Sequence, residues 1–128
     1  MAKSNSFLLL GKNPGHLQAC IDAAKPEFEV ARTASSVEDA KAAINELRSN
    51  LAFITMGGGF TNADFEEVRG QSSDVPWFRP LPTKPGYDGP QPQGAPPAEV
   101  VAAKFRKGID EHLDDLKTGK GAGEIWYF

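Results

Sequence analysis

The sequence predicts a small three-layer α/β domain, with a mainly parallel sheet of four or five strands and helices on both faces. Over the first 75 residues, short apolar runs alternate with segments of helical periodicity. Such runs are typical of strands that are covered on both faces. Strand–helix alternation favours a parallel sheet with right-handed crossovers. The chain has 128 residues and 40% hydrophobic content, enough to bury a core without a metal or disulfide.

The first three elements follow from apolar spacing and from proline and glycine. Residues 6–10 are a short apolar run that ends at Gly11, which predicts a buried strand. Residues 14–25 carry apolar side chains along one helical face, with a proline in the first turn. Residues 28–31 alternate in polarity and predict a second strand.

The next elements repeat this order. Ser35, with Glu38 three residues later, predicts a capped start for a second helix. Residues 51–56 predict a third buried strand, and a short helix is expected to follow, ending at Arg69. Within these elements one core is predicted, made of Leu8, Leu9, Ile44, Phe53, Ile54 and Phe105.

The second part of the chain has a different character. Residues 76–97 hold eight of the ten prolines, and this long loop predicts either a wrap over the domain or a polyproline segment that docks to a partner. Residues 75–78 are compatible with a fourth strand, and residues 98–117 predict one long helix. The whole chain, 1–128, is expected to be a single domain.

Composition excludes several classes of partner. The 17 acidic and 14 basic residues are spread evenly, so no nucleic-acid surface is expected. The longest apolar run near the start spans residues 7–10, too short for a signal peptide or a membrane span. One cysteine, Cys20, excludes an internal disulfide and favours a cytoplasmic protein.

The run FEVARTASSVEDAKAAINEL followed by LAFITMGG resembles the second strand, second helix and third strand of a response-regulator receiver domain. A receiver needs a pair of acids after its first strand and a phosphate-accepting aspartate at the end of its third. At these two places the chain has Gly11, Lys12 and Asn13, and Thr55, Met56 and Gly57. The resemblance therefore implies a receiver-like, flavodoxin-like fold without phosphoryl transfer or the Mg²⁺ that the reaction requires.

The first turn is also similar to that of small Rossmann-like domains, whose G-x-G-x-x-G turn holds a pyrophosphate. Gly11 matches the first glycine of that fingerprint, but Asn13 and His16 stand at the other two positions. Neither resemblance identifies a cofactor.

Two loops at the predicted carboxyl ends of the first and third strands are candidate ligand sites, because open α/β sheets bind ligands at this edge. The first loop combines a lysine, a histidine and a helix N-terminus, which suit a small anion. The second is rich in glycine, which permits close approach of a ligand, and the segment around Trp77 is placed to close over it. The alternative is a pair of ordinary strand-to-helix turns, and no metal site is expected. The candidate ligand-binding residues are Lys12, Asn13, Gly15, His16, Gly57, Gly58, Gly59, Thr61, Asn62 and Trp77.

The last eleven residues, 118–128, form a glycine-hinged aromatic tail that ends in Ile125, Trp126, Tyr127 and Phe128. Such residues are costly to leave in water, at about 1.5–3 kcal/mol each. They are expected to dock on their own domain or across a homodimer interface.

Two hypotheses about function follow. The first is a non-catalytic interaction module of receiver-like or Rossmann-like topology that forms a homodimer through or near the aromatic tail. The second is a small enzyme or ligand-binding protein that holds a small anionic metabolite at residues 11–16 and 57–62.

Overall fold

A computed structural model describes residues 5–47, 50–57, 59–71, 75–89 and 96–128 of the protein. The strands are β1 (Ser6–Leu10), β2 (Glu29–Ala34), β3 (Phe53–Met56), β4 (Trp77–Arg79) and β5 (Ile125–Tyr127). The helices are α1 (Pro14–Ala24), α2 (Val37–Leu47), α3 (Asn62–Arg69), α4 (Ala98–Glu111) and α5 (Leu113–Thr118), and a short 3-10 helix spans Leu81–Thr83. The sheet has the order β2-β1-β3-β4-β5, and every neighbouring pair is parallel. The predicted α/β class is therefore confirmed.

Helix ends follow local capping chemistry. Asn13 caps α1, and its side chain accepts a hydrogen bond from the backbone N–H of His16 at 3.2 Å. Thr61 and Asp64 form a reciprocal capping box at the start of α3. The predicted cap of α2 at Ser35 is wrong by one residue. The side chain of Ser36 instead accepts a hydrogen bond from the backbone N–H of Asp39.

The predicted long helix over residues 98–117 is two helices. The chain leaves helical geometry at His112, whose φ of −116° and ψ of 16° separate α4 from α5. The ring of His112 stacks on Trp126 of β5, with ring centroids 3.9 Å apart. Within the described part of the chain, no helix is long and apolar enough to cross a membrane.

The sheet separates two apolar clusters, because successive side chains of a strand point to opposite faces. One face, called the α1 face, is covered by α1, α4 and α5, and the other, called the α2 face, by α2 and α3. The prediction of a single core is therefore wrong, although all six residues are buried. Leu8, Ile44 and Ile54 belong to the α2 face, and Leu9, Phe53 and Phe105 belong to the α1 face.

The aromatic tail completes the sheet. Residues Ile125–Tyr127 form β5 beside β4, with Trp126 paired to Phe78 and Tyr127 paired to Arg79. The N–H of Phe128 donates to the carbonyl of Arg79 at 3.0 Å, which extends the ladder by one residue. Of the two routes open to the tail, docking on its own domain is the one seen in this chain.

The last crossover has the opposite hand to the other three. The connection from β1 to β2 uses the α1 face, and the two that lead to β3 and β4 move in the other direction over the α2 face. A connection that reverses both its direction along the sheet and the face that it crosses keeps the same hand, so these three crossovers share one hand. The connection from β4 to β5 continues in the second direction but passes over the α1 face, because α4 and α5 pack there. The prediction from strand–helix alternation concerned the crossovers among the earlier elements, and this last connection departs from their hand.

Candidate functional site

The two predicted loops meet at the carboxyl edge of the sheet. The N–H of Gly57 donates to the carbonyl of Leu10 at 2.8 Å, so the ends of β1 and β3 are joined directly. The ammonium of Lys12 lies 5.0 Å from the centre of the Phe60 ring, which links the first loop to the second. A Cβ added at Gly59 would lie 3.3 Å from the Cβ of Lys12. The prediction that these two loops lie at the same edge of the sheet is therefore confirmed.

In the first loop, two of the side chains expected to hold an anion, those of Asn13 and His16, already have hydrogen-bond partners within the chain. Asn13 caps α1 with its side-chain oxygen. The Nε2 atom of His16 is 2.7 Å from the carbonyl oxygen of Pro96, which ties the start of α1 to the residues that precede α4. Gly15 lies in the first turn of α1, and a Cβ there would be 3.3 Å from the Asn13 oxygen.

In the second loop, internal contacts dominate again. The hydroxyl of Thr61 accepts the N–H of Asp64 at 3.1 Å as the helix cap. The side-chain oxygen of Asn62 and the carbonyl of Gly57 both accept hydrogen bonds from Arg79. Gly58 lies outside the described residues. Among the described residues, the loop is therefore built around a cation from β4.

Trp77 does not close over the glycine loops. It is 0% exposed and lies in β4, where its ring packs edge-on against Phe65 at 5.5 Å between centroids. Because alternate residues of β4 point to opposite faces, Trp77 belongs to the α2-face core. Because the ring of Trp77 is buried in this core, the prediction that it closes over the loops and contacts a ligand is wrong.

The central feature of this edge is the guanidinium of Arg79, which is only 1% exposed. Its Nη1 atom donates to the carbonyls of Met56 at 3.3 Å and Gly57 at 2.9 Å, and its Nη2 atom donates to Asn62 Oδ1 at 3.0 Å. The guanidinium also lies 5.0 Å from the centre of the Phe65 ring. These contacts hold the turn after β3 against the end of β4.

All three acceptors of Arg79 are electrically neutral. Burial lowers the pKa of Arg79 from its ordinary value, while the nearby Tyr127 and Asp64 act in the opposite direction. Asp64 is engaged in the capping box of α3, and no described carboxylate forms an ion pair with Arg79. Within the described ranges, the cation is therefore hydrogen-bonded but is in contact with no carboxylate, an arrangement that is costly in a protein interior.

A recess of about 100 Å³ adjoins this guanidinium on the α2 face, between α3 and the outer strands. It lies where the final connection, which has the opposite hand to the others, leaves β4 and β5 without a helix of their own on this face, since α4 and α5 cover the α1 face. Its lining includes Asn62, Phe65, Arg79, Thr83, Ile125 and Tyr127.

Sequence reasoning missed both Arg79 and Tyr127. The signal available for Arg79 is a charged residue directly after the apolar pair of Trp77 and Phe78. In a strand, alternation places it on the same face as Trp77, so a buried position follows once the strand is placed inside the sheet. Tyr127 was interpreted only as part of the aromatic tail.

The sequence matches no protein-family model and no curated protein sequence. The structure is similar to the crystal structure of the response regulator domain of Thermotoga maritima CheB, with a TM-score of 0.54 and 15% sequence identity. The alignment covers 89% of this chain and 94% of that domain. At this identity the likeness concerns the fold. The protein therefore has the receiver-like, flavodoxin-like fold of a response-regulator domain.

Proposed function

We propose that the protein is a non-catalytic interaction module: a receiver-like domain that takes part in signalling contacts without accepting a phosphoryl group. The observation that carries this proposal is the chemistry at the end of β3. Gly57 stands there without a carboxylate, and its carbonyl accepts a hydrogen bond from the buried Arg79. The turn after β1 likewise contains Gly11, Lys12 and Asn13 instead of acids.

A cation at this position opposes receiver chemistry in two ways. A phosphoryl-transfer site needs carboxylates to hold its divalent cation, and the guanidinium of Arg79 repels such a cation. Polar side chains in both loops, those of His16 and Asn62, are also hydrogen-bonded to other parts of the chain. These contacts favour an interaction module over a protein that holds a small anionic metabolite between the loops.

The proposal includes a homodimer formed at or beside β5. Ile125, Trp126, Tyr127 and Phe128 are each only partly buried. Among the described residues β5 pairs with β4 alone, so its outer edge is a surface that favours association. A reducing, cytoplasmic location fits the buried free thiol of Cys20.

Incubation with acetyl phosphate and Mg²⁺, followed by intact mass measurement, tests the central claim. We expect the mass of the protein to remain unchanged. An added phosphate on an aspartate would overturn the proposal, because it would reveal an acceptor that the strand ends do not contain.

The variant Gly57→Asp is a matched control for the acceptor position. A Cβ at Gly57 would lie 3.5 Å from its nearest neighbour, the carbonyl oxygen of Leu10, which is an ordinary van der Waals distance. We expect this variant also to remain unmodified, because the acids after β1 are still missing and Arg79 is still present. Phosphorylation of the variant would contradict the role assigned to these residues.

A further inference from the structure

The recess beside Arg79 combines a cation with an incomplete sheet face. Guanidinium groups form their strongest hydrogen bonds with carboxylates, yet the described partners of Arg79 are two carbonyls and one amide. On the α2 face of β4 and β5, the side chains of Ile125 and Tyr127 are only partly buried. Charge and uncovered apolar surface therefore coincide at one place.

The rim adds to the positive charge. The ammonium of Lys84 lies 5.7 Å from the centre of the ring of Tyr127, a residue that lines the recess. Glu66 is the acidic residue that lines the recess, and it is exposed. Arg79 and Lys84 thus outnumber Glu66, and the other nearby acid, Asp64, is engaged in the capping box of α3. The recess is therefore complementary to a negative group.

We propose that this recess receives the carboxylate of an Asp or Glu side chain from a partner protein. This inference names the partner chemistry of the interaction module proposed above and rests on that proposal. The carboxylate would lie against Arg79, and apolar neighbours on the partner would cover Ile125 and Tyr127.

Volume distinguishes a side chain from a metabolite. The recess holds about 100 Å³, whereas small-molecule sites usually enclose roughly 300–1,000 Å³. One water occupies about 30 Å³ of the liquid, so the space suits a group the size of three waters, such as a carboxylate with its methylene. The remainder of the ligand must lie outside, as a segment of a protein surface does.

The test is a titration of the ¹⁵N-labelled full chain with acetyl-Leu-Glu-Phe-amide and with the matched acetyl-Leu-Gln-Phe-amide, followed by amide chemical shifts. We expect residues 79–85 and 124–127 to shift, with the glutamate peptide binding about tenfold more tightly than the glutamine peptide, as expected for a charge-assisted hydrogen bond. Equal binding of the two peptides, or binding of neither, would overturn the proposal. Acetate binding as tightly as the glutamate peptide would also overturn it, because a free anion would then suffice.

Two exposed residues of α3 provide variants that do not disturb the core. Glu66→Gln should tighten binding of the glutamate peptide several-fold, because it removes a like charge from the lining. Glu67→Gln is the control, since Glu67 does not line the recess and its carboxylate is 2.6 Å from Lys41. Equal effects of the two variants would contradict the site.

In Arg79→Gln the preference for glutamate over glutamine should disappear, with the native amide spectrum as the check on folding. A preference that persists would show that Arg79 is not the recognised cation. The phosphorylation measurement tests the acceptor position after β3 and the peptide titration tests recognition of a carboxylate, so the two proposals fail separately.

Discussion

The substitution Phe53→Ala tests the packing of the α1 face most directly. Phe53 is 0% exposed in the central strand β3, and its ring contacts four others. The centroid distances are 4.8 Å to Phe7, 5.2 Å to Phe28, 5.1 Å to Phe78 and 6.2 Å to Phe105. Removal of the ring leaves a cavity that a strand paired on both sides cannot close by moving.

The magnitude follows from these contacts. Loss of a buried phenylalanine costs about 3–5 kcal/mol, and each aromatic pair adds about 0.5–1.5 kcal/mol beyond its buried area. We expect about 4–5 kcal/mol, a large part of the roughly 5–15 kcal/mol that stabilises a typical domain. With an unfolding entropy of about 2 cal/mol/K per residue, the melting temperature should fall by about 16–20 °C.

Urea denaturation followed by tryptophan fluorescence measures this change, because Trp77 and Trp126 both pack against aromatic rings in the folded state. Leu81→Ala is the control, since Leu81 is 42% exposed and its truncation should cost less than about 1 kcal/mol. A loss below about 1.5 kcal/mol for Phe53→Ala would refute the placement of this residue at the centre of the cluster.

Three further predictions concern titration and assembly. Burial raises the pKa of the Cys20 thiol from 9.0 to about 11, so the free energy of unfolding should fall across this pH range and Cys20→Ala should remove that decline. The hydrogen bonds from Arg106 lower the pKa of Glu27 below 4.5, so this pair stabilises the fold above that pH, and Glu27→Gln should converge with the native protein as acid is added. By light scattering, the full chain should be a dimer, and both deletion of residues 124–128 and the milder substitution Tyr127→Lys should dissociate it. A full chain that is a monomer at high micromolar concentration would contradict the predicted dimer.

The sequence alone was sufficient for the elements on which the fold depends. The apolar run at residues 6–10 and the proline at the start of α1 act through neighbouring residues, because helical and strand periodicities are properties of the local backbone. The missing acids at Gly11 and Gly57 were evident for the same reason, since they depend only on where the strands end.

The tertiary structure decided what lies between distant segments. The division of the core into two faces, the docking of residues 125–127 beside β4 and the hand of the last crossover all depend on segments that meet only after folding. Arg79 is the clearest case, because strand alternation places its side chain but does not identify its acceptors Met56, Gly57 and Asn62. Local patterns specify which residues form a strand or a helix. Hydrogen bonds between residues more than fifteen positions apart in the sequence depend on how the whole chain packs.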